Sequence, residues 1–511
     1  MDVMNDKIAK ERAMFGEWAA REMQTVDLGD KRRNEGLTRL LSSMAAMPSK
    51  SIPAAVNGGH NETTAAYRLF DNDALDFVNI LQPHIDATYK RVAEQDVVVL
   101  AQDTTELDLT RPKQQVEGAG PLDGQSRFGE FLHPLVAFTA GGTPLGTLCA
   151  EIWTRQPGPS KANDRKKLPI EEKESLRWLD THKHAQEIAG DQPKTQFICV
   201  ADSEADIFEV IECDKDSPDN FGWIIRSCYD RSLVDDNSDA PSHLHQQLLE
   251  SCVLYNKQLF IRGREPKLAC DKRARNQPRV SRECEVEVRA TTVTLRGTYR
   301  SDRKLRPTTV NAILAHEVNA PKDDVPVSWL LLTNLPISTE AEIELVIQYY
   351  CIRWMIEVFF RTLKSGSRIE KRRFETIERF ERCLAVSMIV AWRTFYTTKI
   401  GRELPDVSCE AVFTEDEWQP VYKLVTDEDP PSEPPKLWQM VRLIARLGGY
   451  IDRCRDDEPG TDTVMRGMER LYDISVWQRG EGAEYERLCT RLEDHTGDHI
   501  FVCIVVDSKH C

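Results

Sequence analysis

The chain is 511 residues long and carries a formal net charge of −16, long enough for several domains. No run of about 18 apolar residues occurs, which excludes a helical membrane span, and the amino terminus lacks an apolar signal core. The 14 cysteines form no C-x-x-C pair and no His/Cys ligand spacing, so they read as reduced thiols rather than a zinc site or a disulfide framework.

Residues 1–85 read as helices. One opens over Phe15–Met23. A second begins in Leu28-Gly-Asp30-Lys-Arg32-Arg33, with Asp30 as candidate cap. A third covers Thr63-Thr-Ala-Ala-Tyr-Arg68-Leu-Phe70. Residues 86–225 then alternate strands and helices. In Asp96-Val-Val-Val-Leu-Ala-Gln-Asp103, a short β-branched run predicts a buried strand that delivers Asp103 at its end. Phe131–Ala140 and Thr143–Trp153, joined at Gly141-Gly142, predict a hairpin. His133 falls on it and reads as a packed strand histidine. A helical stretch, Glu171 to Ala189, precedes a second buried strand, Phe197-Ile-Cys-Val-Ala, which ends at Asp202. Ser203 to Val210 reads as the start of a further helix.

Between Asp202 and Glu357 lie 154 residues, too many for a simple crossover. Residues 226–334 show short alternating strands and predict an inserted β-rich subdomain whose last strand holds Trp329. The stretch 251–310 is net positive, with Arg262, Arg264, Lys267, Lys272, Arg275, Arg279, Arg282, Arg300, Arg303, Lys304 and Arg306 as a candidate phosphate-binding track. Residues 335–395 carry Tyr350-Cys-Ile-Arg353-Trp-Met-Ile-Glu357-Val-Phe-Phe-Arg-Thr-Leu-Lys364. On one helix this spacing puts Tyr350, Arg353, Glu357 and Lys364 on one face. Trp354, Ile356, Val358, Phe359 and Leu363 form an opposite, apolar face. The acid suits a divalent metal, and the cations suit phosphate oxygens. Residues 396–511 return to helices, with most of the acidic excess. The runs Glu415-Asp-Glu and Thr426-Asp-Glu-Asp-Pro-Pro-Ser-Glu read as an exposed linker. Residues 480–511 carry no assignable motif.

An isolated aspartate at a strand end serves as a turn or cap residue; three carboxylates in these settings, in this order, point to metal-assisted phosphodiester chemistry. Mg2+ prefers hard oxygen ligands, and three converging carboxylates can hold two ions about 3.5–4 Å apart. The spacing Tyr-x2-Arg-x3-Glu-x6-Lys, together with Asp103-Thr-Thr and Asp202-x-Glu-Ala-Asp-Ile, resembles the bacterial cut-and-paste DDE transposases of the IS-four family, in particular the Tn-five-like subgroup. Leu28-Gly-Asp-x-Arg-Arg and Ala66-Tyr-Arg-x-Phe resemble that family's end-recognition domain. Leu447-Gly-Gly-Tyr, Glu458-Pro-Gly and Arg466-Gly-Met-Glu-Arg-Leu resemble its carboxy-terminal pairing region. The likeness spans roughly residues 15–478.

The resemblance implies an α/β fold: an RNase H-like catalytic core interrupted by the β-rich insertion, with helical domains at both ends. It implies Asp103, Asp202 and Glu357 as catalytic metal ligands for Mg2+, with Mn2+ as a substitute. It implies DNA contacts from Tyr350, Arg353, Lys364, Arg226, Arg32, Arg33 and Arg68, and a base-stacking role for Trp329. The expected partners are double-stranded DNA, as terminal inverted repeats and target, and a second copy in a synaptic homodimer. The expected setting is cytoplasmic, with action at the nucleoid. The expected reaction is excision by hydrolysis and hairpin formation, then joining of 3′-hydroxyl ends to target DNA. An RNase H-like nuclease without strand transfer and a catalytically inactive DNA-binding derivative are the alternatives.

Overall fold

The computed structural model describes residues 18–476, apart from 57, 112–114, 124–125, 157–168, 214–216, 235–242, 262–279, 301–302, 323, 325 and 454–457. The basic run Arg262–Arg279 and the tail from residue 480 therefore lie outside the described residues. The chain divides into two compact units, Met1–Glu403 and Leu404–Cys511.

The first unit opens with helices α1 (Lys31–Ala46), α2 (Ile52–Ala55), α3 (His60–Phe70) and α4 (Phe77–Ala93). Asp30 caps α1 as the sequence predicts, accepting from the backbone N–H groups of Arg32 (2.8 Å) and Arg33 (3.3 Å). Helices α1, α3 and α4 pack on the 27-residue α10 (Ile377–Glu403), and α2 packs on α1 and α3. Arg382 of α10 is buried and donates to the carbonyls of Leu75 and Phe70, both at 2.6 Å, which fixes the helical layer to it.

The strands are β1 (Val97–Gln102), β2 (Thr105–Asp108), β3 (Gly120–Asp123), β4 (Arg127–Thr139), β5 (Pro144–Trp153), β6 (Gln196–Ala201), β7 (Phe221–Arg226), β8 (Tyr255–Ile261), β9 (Arg282–Leu295), β10 (Thr308–Val318) and β11 (Ser328–Thr333). They form one sheet in the order β2-β4-β1-β6-β7-β11-β10-β9-β8, with β3 and β5 also on β4. The β4–β5 turn falls at Gly141-Gly142, as expected. Gly142 has φ +87°, a conformation glycine adopts without penalty. Helix α5 (Leu176–Asp191) leads into β6, and the shorter α6 (Phe208–Glu212) follows it. The core is an apolar cluster of Val98, Leu100, Phe197, Trp223 and neighbouring side chains, against which the buried His133 and His182 pack.

The insertion does not build a separate sheet. β11 pairs antiparallel with β7, Leu331 opposite Arg226, so β8–β11 extend the core sheet. Parallel pairing to β6 leaves the far edge of β7 unsatisfied, and β11 covers it. Helix α7 (Leu244–Glu250) packs on β9 and β10.

The second unit holds α11 (Glu415–Thr426), α12 (Leu437–Leu447) and α13 (Thr461–Val476). Glu415-Asp-Glu opens α11 rather than lying in a linker: Thr414 and Glu417 form a reciprocal capping box, and Glu417 is buried. Leu437, Met440 and Ile444 of α12 are buried where it packs on α13. A Cβ on Gly467 would meet the Ile444 carbonyl oxygen at 1.9 Å, so only glycine permits this crossing.

Candidate active site

β1 and β6 are parallel neighbours, paired from Val97↔Gln196 to Ala101↔Val200. Continuing that register two residues places Asp103 opposite Asp202, just beyond the last paired positions. Both acids thus leave the same end of the sheet side by side. Asp103 is buried, at 7% exposure, and accepts from the Thr104 N–H at 2.7 Å. Asp202 accepts from the Glu204 N–H at 2.7 Å and caps the 3-10 turn Ser203–Ala205.

The third acid comes from helices packed across these strands. Here the structure corrects the sequence reading of one continuous helix. Helix α8 (Glu340–Ile352) stops, Arg353 forms a tight junction, α9 (Trp354–Arg361) restarts, and Thr362–Gly366 is a π turn. Glu357 sits in the first turn of α9, with its side chain 43% exposed. Ile356, Phe359 and Leu363 are fully buried beneath it, each worth about 1.5–3 kcal/mol as anchors. Trp354, assigned by pattern to the apolar face, is instead 60% exposed. At 100° per residue Trp354 lies roughly opposite Ile356, Phe359 and Leu363 and shares the face of Tyr350, Arg353 and Glu357, so helical spacing itself turns it to solvent.

Arg353 reaches between the acids. Its Nη1 is 3.1 Å from Asp103 Oδ2 and 3.8 Å from Glu357 Oε1. Burial, and the charges of Asp202 and Glu357, nevertheless push the Asp103 carboxyl up to about 8. One shared guanidinium is too little positive charge for three acids. This is the electrostatic setting of a divalent cation site, and the donors are the hard oxygens that Mg2+ takes. Among the described residues, however, no three His, Cys, Asp or Glu side chains yet converge closely enough to hold an ion. The donor chemistry fits, with Arg353 lying between two of the three acids.

Tyr350 is buried beside Arg353, whose guanidinium lies 6.0 Å from its ring centre. Burial raises its hydroxyl above the ordinary value, with Arg353 and Arg226 opposing. Arg226 donates to the Ser328 carbonyl at 3.5 Å. Lys364, in the π turn, lies 3.8 Å from Glu370, and burial lowers its ammonium below the ordinary value. Trp329 is half-buried on β11 against Cys284, Val286 and Val327. The register puts it on the sheet face of Arg226, since Leu331 opposes Arg226 and Trp329 lies two residues along. Arg32 and Arg68 are exposed on α1 and α3, and Arg33 donates to the Leu28 carbonyl at 3.2 Å. His133 is packed as expected: fully buried, bonded to Thr104 at 2.8 Å, with its imidazole lowered to about 3 by burial.

Two residues of the basic track are engaged within the fold. Arg282 pairs with Glu317 at 2.8 Å and with Asp324, and Arg300 pairs with Glu209 at 2.6 Å. Sequence reading also missed Arg177 of α5, which bonds to Thr104, next to Asp103, and to Glu204, two residues past Asp202.

A mixed sheet that brings acids to the tips of two parallel neighbours, with a third acid on a helix laid across them, defines the RNase H-like DDE class. Three family models match in succession: Transposase DNA-binding over residues 16–75, Transposase DDE domain over 240–392 and Transposase Tn5 dimerisation domain over 389–492. The chain belongs to the Tn5-like DDE transposases. The DDE-domain match includes Glu357 and begins after both aspartates. Among solved structures, a cryo-EM structure of the piggyBac transposase synaptic complex with hairpin DNA aligns at TM-score 0.32 and 8% identity. That alignment covers 85% of this chain and 64% of the piggyBac chain, a likeness too slight to bear on function. No helix among the described residues is long and apolar enough to cross a membrane.

Proposed function

We propose that this chain cuts DNA at the ends of a mobile element and joins the freed 3′-hydroxyls to target DNA. The observation that carries the reading is the register of β1 and β6, which sets Asp103 beside Asp202 with Glu357 on the helix across them. These three carboxylates would hold Mg2+, or Mn2+ in its place, and the bound metal would supply activation of the attacking oxygen and stabilisation of the leaving one.

The chain's own residues bind and orient the strand. Arg353, now shared by two acids, can exchange them for a phosphate, which its planar fork grips in bidentate fashion. Lys364 and Arg226 supply further charge, and the Tyr350 hydroxyl donates a hydrogen bond to backbone oxygens. Such contacts position the scissile bond but read no sequence. Arg32, Arg33 and Arg68 on the amino-terminal helices would read the terminal inverted repeats. Trp329 would stack on a base turned out as a hairpin forms, and the carboxy-terminal helices would pair two protomers. No covalent enzyme intermediate is needed: water nicks one strand, its 3′-hydroxyl attacks the other to close a hairpin, water reopens it, and the same hydroxyl attacks the target.

The test is cleavage of a plasmid carrying the gene's flanking repeats, with Glu357→Ala beside wild type. Hairpinned ends from wild type alone, with end binding retained in the variant, support the reading. Binding without cleavage by either protein points to a non-catalytic derivative. Cleavage without hairpins or joining points to a nuclease. Equal cleavage by both removes Glu357 from the site.

A further inference from the structure

We infer that Arg177 is a positioning residue that sets the spacing between Asp103 and Asp202. The inference rests on the metal-site reading above. The need for such a residue follows from the sheet: main-chain pairing ends at Ala101↔Val200, so no ladder hydrogen bond spans the two acids, and like charges side by side push apart.

Arg177 closes that gap. Its Nε donates to Thr104 Oγ1 at 2.9 Å, and its Nη2 donates to Glu204 Oε2 at 3.4 Å. Thr104 directly follows Asp103, whose carboxylate accepts the Thr104 N–H; Glu204 is two residues past Asp202, whose carboxylate accepts the Glu204 N–H. Hydrogen bonds at Thr104 and Glu204, joined through those two residues' own covalent frames, thus link one aspartate through Arg177 to the other. The guanidinium is itself fixed. It donates to the Glu174 carbonyl at 2.5 Å, lies 5.0 Å from the Trp153 ring centre and 5.7 Å from that of Trp178, and is 11% exposed. Lysine could supply the charge but not a planar fork with two fixed arms.

The path also has a branch. Thr104 Oγ1 accepts from Arg177 and lies 2.8 Å from His133 Nδ1, and His133 Nε2 lies 3.3 Å from Gln102 Oε1, so the same hydroxyl ties Arg177 to a buried histidine of the sheet.

The experiment compares wild type, Arg177→Lys, Thr104→Val, the conservative Thr104→Ser and the reference Asp202→Asn. Mn2+ binding is titrated by electron paramagnetic resonance and end binding by gel shift. Arg177→Lys and Thr104→Val should weaken Mn2+ binding about 10–100-fold, the range for residues that orient metal ligands. End binding should hold, and Thr104→Ser, which keeps the hydroxyl, should keep wild-type affinity. Unchanged Mn2+ affinity in Arg177→Lys overturns the inference. So does a parallel loss of Mn2+ affinity and end binding, which marks a general structural defect. If wild type binds Mn2+ no better than Asp202→Asn, the metal-site reading fails and the inference falls with it.

Discussion

Replacing Asp103 with asparagine should stabilise the metal-free fold while abolishing strand cleavage. The wild-type carboxyl is pushed up from 3.8 to about 8, because it is buried and faces Asp202 and Glu357. Between those values the native state holds a proton that the unfolded chain has lost, so wild-type stability falls as pH rises from about 4 to about 8. At about 1.4 kcal/mol per tenfold change in proton affinity, the ceiling is about 5–6 kcal/mol. The opposing charge of Arg353 is already within that figure; protons shared across the cluster reduce it, leaving roughly 2–4 kcal/mol at pH 8. Asparagine keeps the shape, can still accept from Arg353 and carries no charge. Urea unfolding with EDTA present, at pH 4, 6 and 8, reads the difference. The two proteins should coincide near pH 4, and the variant should gain steadily above it. Added Mn2+ should then favour wild type. An Asp103→Asn variant less stable than wild type at pH 8, or a difference that ignores pH, refutes the crowded-carboxylate account.

The remaining predictions concern stability elsewhere. Glu22 is buried against His84 (2.5 Å) and Arg91 (2.9 Å), and these partners hold its carboxyl down at about 2 despite burial. Glu22→Gln should destabilise the first unit by about 2–4 kcal/mol at pH 7. The deficit should shrink as pH falls from about 4.5 toward 2, where wild type loses the same interaction; a constant deficit across a denaturation series would exclude this ionic origin. Gly467→Ala should force α12 and α13 apart, because the new methyl meets a backbone oxygen rather than a yielding side chain. It should cost about 1–3 kcal/mol or more and expose the carboxy-terminal helices to limited proteolysis; wild-type resistance would refute the close-crossing argument.

Much of the site is legible in the chain because its cues are local. Apolar β-branched runs that end in Asp103 and Asp202 announce buried strands with acids at their tips. The helical spacing of Tyr350, Arg353 and Glu357 announces the third carboxylate. The break at Arg353 leaves no trace, since no Pro or Gly marks it and the charged spacing runs through the junction. Trp354 is a different error: its hydrophobicity suggests the core, although helical spacing places it opposite Ile356, Phe359 and Leu363. Arg282 and Arg300 look free for phosphates because their acidic partners, Glu317, Asp324 and Glu209, arrive from distant segments. Arg177 is invisible in the same way: Thr104 lies 73 residues earlier, and only the sheet brings it near.

The order in which the acids occur along the chain has a consequence for synthesis. The parallel pairing of β1 with β6, and the antiparallel pairing of β7 with the returning β11, join segments about a hundred residues apart. Such contacts form slowly because long loops must close first. Glu357 enters only after the whole insertion has been made. A nascent chain on the ribosome can therefore finish its amino-terminal helices and hold two of its acids while lacking the third. If the three acids act as proposed, the capacity to sever DNA arrives late, after the part matched by the DNA-binding family model.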